Sequence, residues 1–190
     1  SLNGAKQQMG QTGLQNSALA FGGETSTAVT VTETEAYNGT SWTEVNDMNN
    51  AFYRMGGAGI SGNTSVLSFG GRNSSNTVQN NTGSQLAITE LYNGTNWAEV
   101  NDLNDSRSDL TGFGIATSAI AAGGFSPPNT ANTELWNGTN WTEVNNMNTA
   151  RQEMSSAGVD STAGLIFGGD GAPPRTAKTE EWNGVSWVEV

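Results

Sequence analysis

The chain has 190 residues, with 18 acidic and 7 basic side chains, a net charge of −11, and neither cysteine nor histidine. This composition excludes a thiol nucleophile, a serine–histidine–aspartate triad, and zinc, haem or copper held by their usual ligands; the acidity counts against nucleic acid, whose phosphates ask for clustered Lys and Arg. Its 25 glycines bring the apolar share close to that of an ordinary globular domain, and no stretch reaches the roughly 18–20 apolar residues of a membrane-spanning helix.

In chain order, Ser1 is preceded by no initiator Met and followed by no signal-like apolar core, so the chain reads as a processed product or an excerpt of something longer. The first unit, residues 1–45, runs through an apolar stretch into Phe21-Gly22-Gly23, reaches Tyr37 directly before Asn38-Gly39, and ends on Trp42-Thr43-Glu44-Val45. The second, 46–100, opens on an Asn-rich link and a glycine-rich run from Met55 to Ile60. It then repeats the order: Ser65 to Phe69 before Gly70-Gly71, Tyr92 before Asn93-Gly94, and Trp97 to Val100. The third, 101–144, has Ala122-Gly123-Gly124, Trp136 before Asn137-Gly138, and Trp141 to Val144. The fourth, 145–190, has Phe167-Gly168-Gly169, Trp182 before Asn183-Gly184, and Trp187 to Val190.

Each unit therefore predicts four short strands, a to d. Asn-Gly tolerates positive φ and suits a tight hairpin between c and d, and no helical period runs through any unit. The fold class is all-β: a single domain of four four-stranded antiparallel units, each of about 45 residues, the length of a propeller blade. The four blades are expected to close into one small ring, with Gly10, Gly56, Gly112 and Gly158 among the small residues that relieve crowding at its axis. The alternative is a part of a larger ring or an end-to-end array.

A four-residue c–d loop sets a register with a chemical consequence. It places Glu35 opposite Glu44, Glu90 opposite Glu99, Glu134 opposite Glu143, and Glu180 opposite Glu189, and like charges so placed cost stability unless compensated. Lys6, Arg54, Arg107 and Arg151 supply one basic residue per unit, although Arg54 is out of step, with Phe52 in the aligned position. The alternatives are Ca²⁺ on the first six of these carboxylates and a paired-carboxylate glycosidase. A pair in every repeat favours structure, since an active site breaks symmetry. By the same logic Trp42, Trp97, Trp141 and Trp187 are read as core between blades rather than sugar-stacking platforms.

Apolar-Gly-Gly, an aromatic, a Trp and then an Arg-bearing link resemble the kelch repeat. Thr133 to Val144 followed by Asn148-Thr149-Ala150-Arg151 is the clearest copy. The short Asn-Gly-Thr turn is similar to repeats in surface proteins of marine phages. The resemblance implies that b–c loops and d–a links share one face, a candidate contact surface. On it the b–c loops vary most, with Arg72, Asn73, Asn76, Gln79, Asn80, Asn81 and Gln85 in the longest one. Pro127-Pro128 and Pro173-Pro174 stiffen two others.

The expected function is a non-enzymatic structural or binding module without a cofactor, on a virion or cell surface or otherwise extracellular. It would adhere to a host glycan or protein, or pack against protein subunits of a larger assembly. Nucleic acid and membrane insertion are not expected, and monomeric ring or oligomer stays open. The alternatives are a secreted carbohydrate-binding or glycan-active domain and a kelch protein-interaction adaptor.

Overall fold

The computed structural model describes residues 1–26, 29–59, 64–74, 84–171 and 175–190. The contact candidates Asn76, Gln79, Asn80, Asn81, Pro173 and Pro174 lie outside the described residues. Blade 1 consists of β1 (Gly10–Leu14), β2 (Ser17–Phe21), β3 (Thr34–Tyr37) and β4 (Trp42–Val45). Blade 2 has β5 (Gly56–Ala58), β6 (Val66–Phe69), β7 (Thr89–Tyr92) and β8 (Trp97–Val100). Blade 3 has β9 (Thr111–Ile115), β10 (Ser118–Ala122), β11 (Thr133–Trp136) and β12 (Trp141–Val144). Blade 4 has β13 (Ser155–Asp160), β14 (Ala163–Phe167), β15 (Thr179–Trp182) and β16 (Trp187–Glu189). Every sheet pairs its strands antiparallel and in sequence order, no helix occurs among the described residues, and the four sheets form a four-bladed β-propeller.

The hairpins are set locally. Asn38 Oδ1 accepts the backbone N–H groups of Thr40 and Ser41, both at 3.0 Å, while Gly39 takes φ 92°. An Asn side chain closing its own turn in this way fixes loop length and therefore register. The same bonds recur at Asn93, Asn137 and Asn183. The expected c–d register follows: Tyr37 faces Trp42, and Glu35 faces Glu44, with the matching pairs in the other three blades.

Strand alternation gives each blade two faces. The back face carries the d-strand Trp; the front face carries alternate apolar residues of strand b, such as Leu19 and Phe21 or Leu67 and Phe69, and the Thr that opens strand c. At three seams a front meets the next back. Phe21 packs on Trp97 with ring centroids 5.1 Å apart, Phe69 on Trp141 at 4.9 Å, and Phe113 on Trp187 at 6.2 Å. Blade 3 has Ala122 where its neighbours have Phe, and Phe113 of β9 supplies the ring instead. Each Trp also donates its indole N–H to a front-face hydroxyl: Trp97 to Thr34 at 3.0 Å, Trp141 to Thr89 at 3.0 Å, and Trp187 to Thr133 at 3.1 Å. Burying a ring of this size contributes about 1.5–3 kcal/mol, so these seams are the core.

The inner-strand glycines serve these rings. A Cβ on Gly56 would collide with the Phe69 ring of its own blade, and one on Gly112 would collide with the same ring from the next blade. The expected crowding is thus at the seams, while the axis holds a cavity of about 460 Å³ lined by all four inner strands.

The expected self-closure is only three-quarters made. Phe167 occupies the position of Phe21 and Phe69 but is 41% exposed, whereas those two are fully buried. Trp42 is half-buried, unlike its three buried counterparts. Among the described residues, no ring contact or hydrogen bond joins Phe167 or Thr179 to Trp42.

Candidate functional site

The opposed glutamates are the strongest chemical signal in the sequence. On strand c, Glu35, Glu90, Glu134 and Glu180 are all buried. Three meet a buried cation: Lys6 Nζ lies 3.1 Å from Glu35, Arg107 Nη2 3.0 Å from Glu134, and Arg151 Nη2 2.7 Å from Glu180. The remaining oxygen in each accepts the backbone and side-chain N–H of the link asparagine, Asn3, Asn104 or Asn148. Blade 2 has Phe52 in place of the cation, and Asn50 compensates. Glu90 accepts the backbone and side-chain N–H of both Asn49 and Asn50, and the Asn50 amide also reaches Glu99 at 3.2 Å.

Burial pushes the Glu35 carboxyl up, but the Asn3 amide, Lys6 and Gly4 outweigh it and hold the group below its ordinary value. Burial lowers Arg107, against the attraction of Glu134, Asp105 and Glu143. The outer partners Glu44, Glu99, Glu143 and Glu189 are exposed. The cation-site candidates Glu35, Glu90 and Glu134 therefore have protein donors on both carboxylate oxygens, and among the described residues no three acidic side chains converge on one point.

Backbone hydrogen bonds tie b–c loops to d–a links, so the two share one face: Gln7 and Glu24 exchange bonds, as do Ser108 and Phe125, and Met48 N–H donates to Thr32. The loop candidates divide on this face. Arg72 is 8% exposed, its backbone paired with Tyr53, and belongs to the loop base. Asn73 is exposed and accepts the Ser84 N–H at 2.9 Å; Gln85 is half-buried and bridged to Arg72. Pro127 and Pro128, joined by a cis bond, are exposed at the blade 3 tip, with Ser126 N–H bonded to Pro128 O. Adjacent loops also touch: Thr30 Oγ1 lies 3.1 Å from Ser74 Oγ, and Asn129 Nδ2 donates to Asp170 O at 2.9 Å.

The same face holds a set that sequence reasoning missed. Gln8, Arg54, Asp109 and Glu153, one per blade, ring the mouth of the axis around a second cavity of about 320 Å³, and each has positive φ between 54° and 58°. Arg54 donates from Nε to Gln8 at 2.8 Å and from Nη1 to Asp109 at 3.1 Å; Glu153 is exposed and has no such partner among the described residues. This explains why Arg54 is out of step, since it serves the axis rather than a glutamate. The legible signal is one repeat position carrying four different polar side chains beside positions that barely change. The arrangement offers a polar rim with one unmatched carboxylate, set among loops that differ blade by blade. Among the described residues, no helix is long and apolar enough to cross a membrane. No protein-family model matches the chain, and no curated protein matches it.

Proposed function

We propose that the chain is a non-enzymatic binding or assembly module of kelch type, resembling the repeats of phage surface proteins and working outside the cell or on a virion. The observation that carries this reading is where the molecule departs from four-fold repetition. Its carboxylate pairs are repeated in every blade, and the buried member of each is held there by a cation or by Asn amides, as structure requires. Its variable loops and polar side chains are prominent on one face, in the b–c loops and the axial rim, where a rigid scaffold presents them to a partner. Asn73, Gln85, Pro127 and Pro128, together with the sequence candidates Asn76, Gln79, Asn80, Asn81, Pro173 and Pro174, belong to that contact surface. Arg72 supports it from below. The ligand classes that fit a neutral, amide-rich loop set are surface glycans and the polar surface of another protein.

The test is binding to a glycan array and to host-type surface polysaccharides, repeated with a variant in which residues 73–84 are replaced by a short Asn-Gly link. Selective binding lost in the variant supports the reading. Binding that survives the replacement moves the contact surface elsewhere, and turnover of a bound glycan would replace the module with an enzyme.

A further inference from the structure

We infer that the uncovered front of blade 4 docks onto the uncovered back of blade 1 in a second copy of this chain. Six of the eight exposed large apolar side chains among the described residues, Val159, Leu165, Phe167, Val185, Val188 and Val190, lie in the fourth blade. By strand pairing Leu165, Phe167, Val188 and Val190 share the face that Phe21 and Leu19 occupy in blade 1 and Phe69 and Leu67 in blade 2, where those side chains are fully buried; Val159 lies in a β-bulge and Val185 in the c–d turn.

The two uncovered faces are the two halves of a seam the chain already builds three times. Three front-face threonines accept a Trp N–H; Thr179 is the fourth, and Trp42 the fourth donor, and no such bond joins them. Three backbone bonds run from the second glycine of a Gly-Gly pair to the next link: Gly23 to Phe52 O, Gly71 to Arg107 O, and Gly124 to Arg151 O. The unused fourth pair is the Gly169 N–H and the Lys6 carbonyl. Three more bonds follow the axial rim, ending with Glu153 N–H to Asp109 O, and leave Gln8 N–H and Glu153 O without each other. The first glycine of the pair tells the same story. A Cβ on Gly22, Gly70 or Gly123 would strike the following blade, whereas one on Gly168 meets only Thr176 of its own loop.

A second copy brings each missing partner in the geometry of an established seam, so the occupant is specified by hydrogen-bond donors, acceptors and ring positions as well as by apolar area. The contact is heterologous, front to back, and leaves each added copy with the same two faces until a ring closes. This gives the assembly arm of the proposed function its surface, and it stands or falls separately from glycan binding by the loops.

The experiment is solution mass by light scattering on the full chain, across a roughly hundredfold range of protomer concentration. Wild type is expected above the mass of one chain. Phe167→Asp, which kills only the front, and Trp42→Ser, which kills only the back, are each expected at one chain. Mixed one to one, they are expected to stop at two chains, since the pair retains one live front and one live back. Should Trp42→Ser lose its folded circular dichroism signal, Ala18→Glu, half-buried on the same back face, takes its place. Wild type held at one chain throughout overturns the proposal. So does a single-face variant that assembles with itself, which would mean a front-to-front or back-to-back contact.

Discussion

Glu35, Glu134 and Glu180 each lie against a buried Lys or Arg, whereas Glu90 is held by the amides of Asn49 and Asn50 alone. The two solutions differ in what a substitution leaves behind. Arg151→Met strands the Glu180 carboxylate in the core and is expected to cost about 3–5 kcal/mol in a urea titration; adding Glu180→Met should recover most of it, because a buried ion pair gives little net stability over well-packed apolar groups. The Nε atoms of Arg107 and Arg151 are buried without a partner, which adds to that expectation. Asn50→Ala removes only hydrogen bonds to a charge and should cost about 1.5–3 kcal/mol. Glu35 gives the pH dependence. Its folded value is depressed below 4.5, so its contribution is present above the unfolded value and is lost as pH falls through the lower, folded one. The urea midpoint should therefore drop as pH is lowered below the ordinary carboxylate range, and Glu35→Gln should flatten that drop. The opposed pairs were legible because Asn-Gly dictates a four-residue loop and the loop dictates register. The role of Asn50 was not, since an Asn in an Asn-rich link looks like any other turn former.

At the scale of the strand, one aromatic ring per seam is accommodated by glycine on the inner strands. Phe69 lies between Gly56 of its own blade and Gly112 of the next, and its removal opens a cavity lined from both sides. Phe69→Ala should cost about 3–5 kcal/mol. Phe167→Ala, the same substitution at the same repeat position, should change the stability of a single chain by less than about 0.5 kcal/mol, since that side chain is already half in water. Equal costs in a denaturant titration of dilute protein would mean that the fourth seam is packed after all. The strands themselves could be read from apolar runs and turn pairs almost to the residue. The reason for the glycines could not, because room at an axis and room for a neighbour's ring leave the same small residues in the same strand.

For the whole molecule, the sequence reading reached the number of blades, their strand order and their four-fold chemistry, but not the open seam. Phe167, Thr179 and Trp42 have the same identities as their packed counterparts, and nothing local to them says whether a neighbour arrives. The axial rim was missed because its signal is variation at one repeat position, which acquires meaning only once the four side chains are seen to meet at the axis. Self-association, as inferred above, has to overcome repulsion between two chains of charge −11 each. Because the seam is apolar and built of neutral hydrogen bonds, raising salt from about 20 to about 500 mM should strengthen assembly by screening that repulsion, where a contact held by ion pairs would weaken. In dilute solution the same seam sets an order of events in time. Blades 2 and 3 are clasped on both sides, while blades 1 and 4 lean on one neighbour each, so the stack behaves as a short row whose ends open before its middle. Amide exchange should be slowest in β6, β7, β10 and β11 and fastest in β13 and β14, and adding protein until copies meet should slow the end blades first.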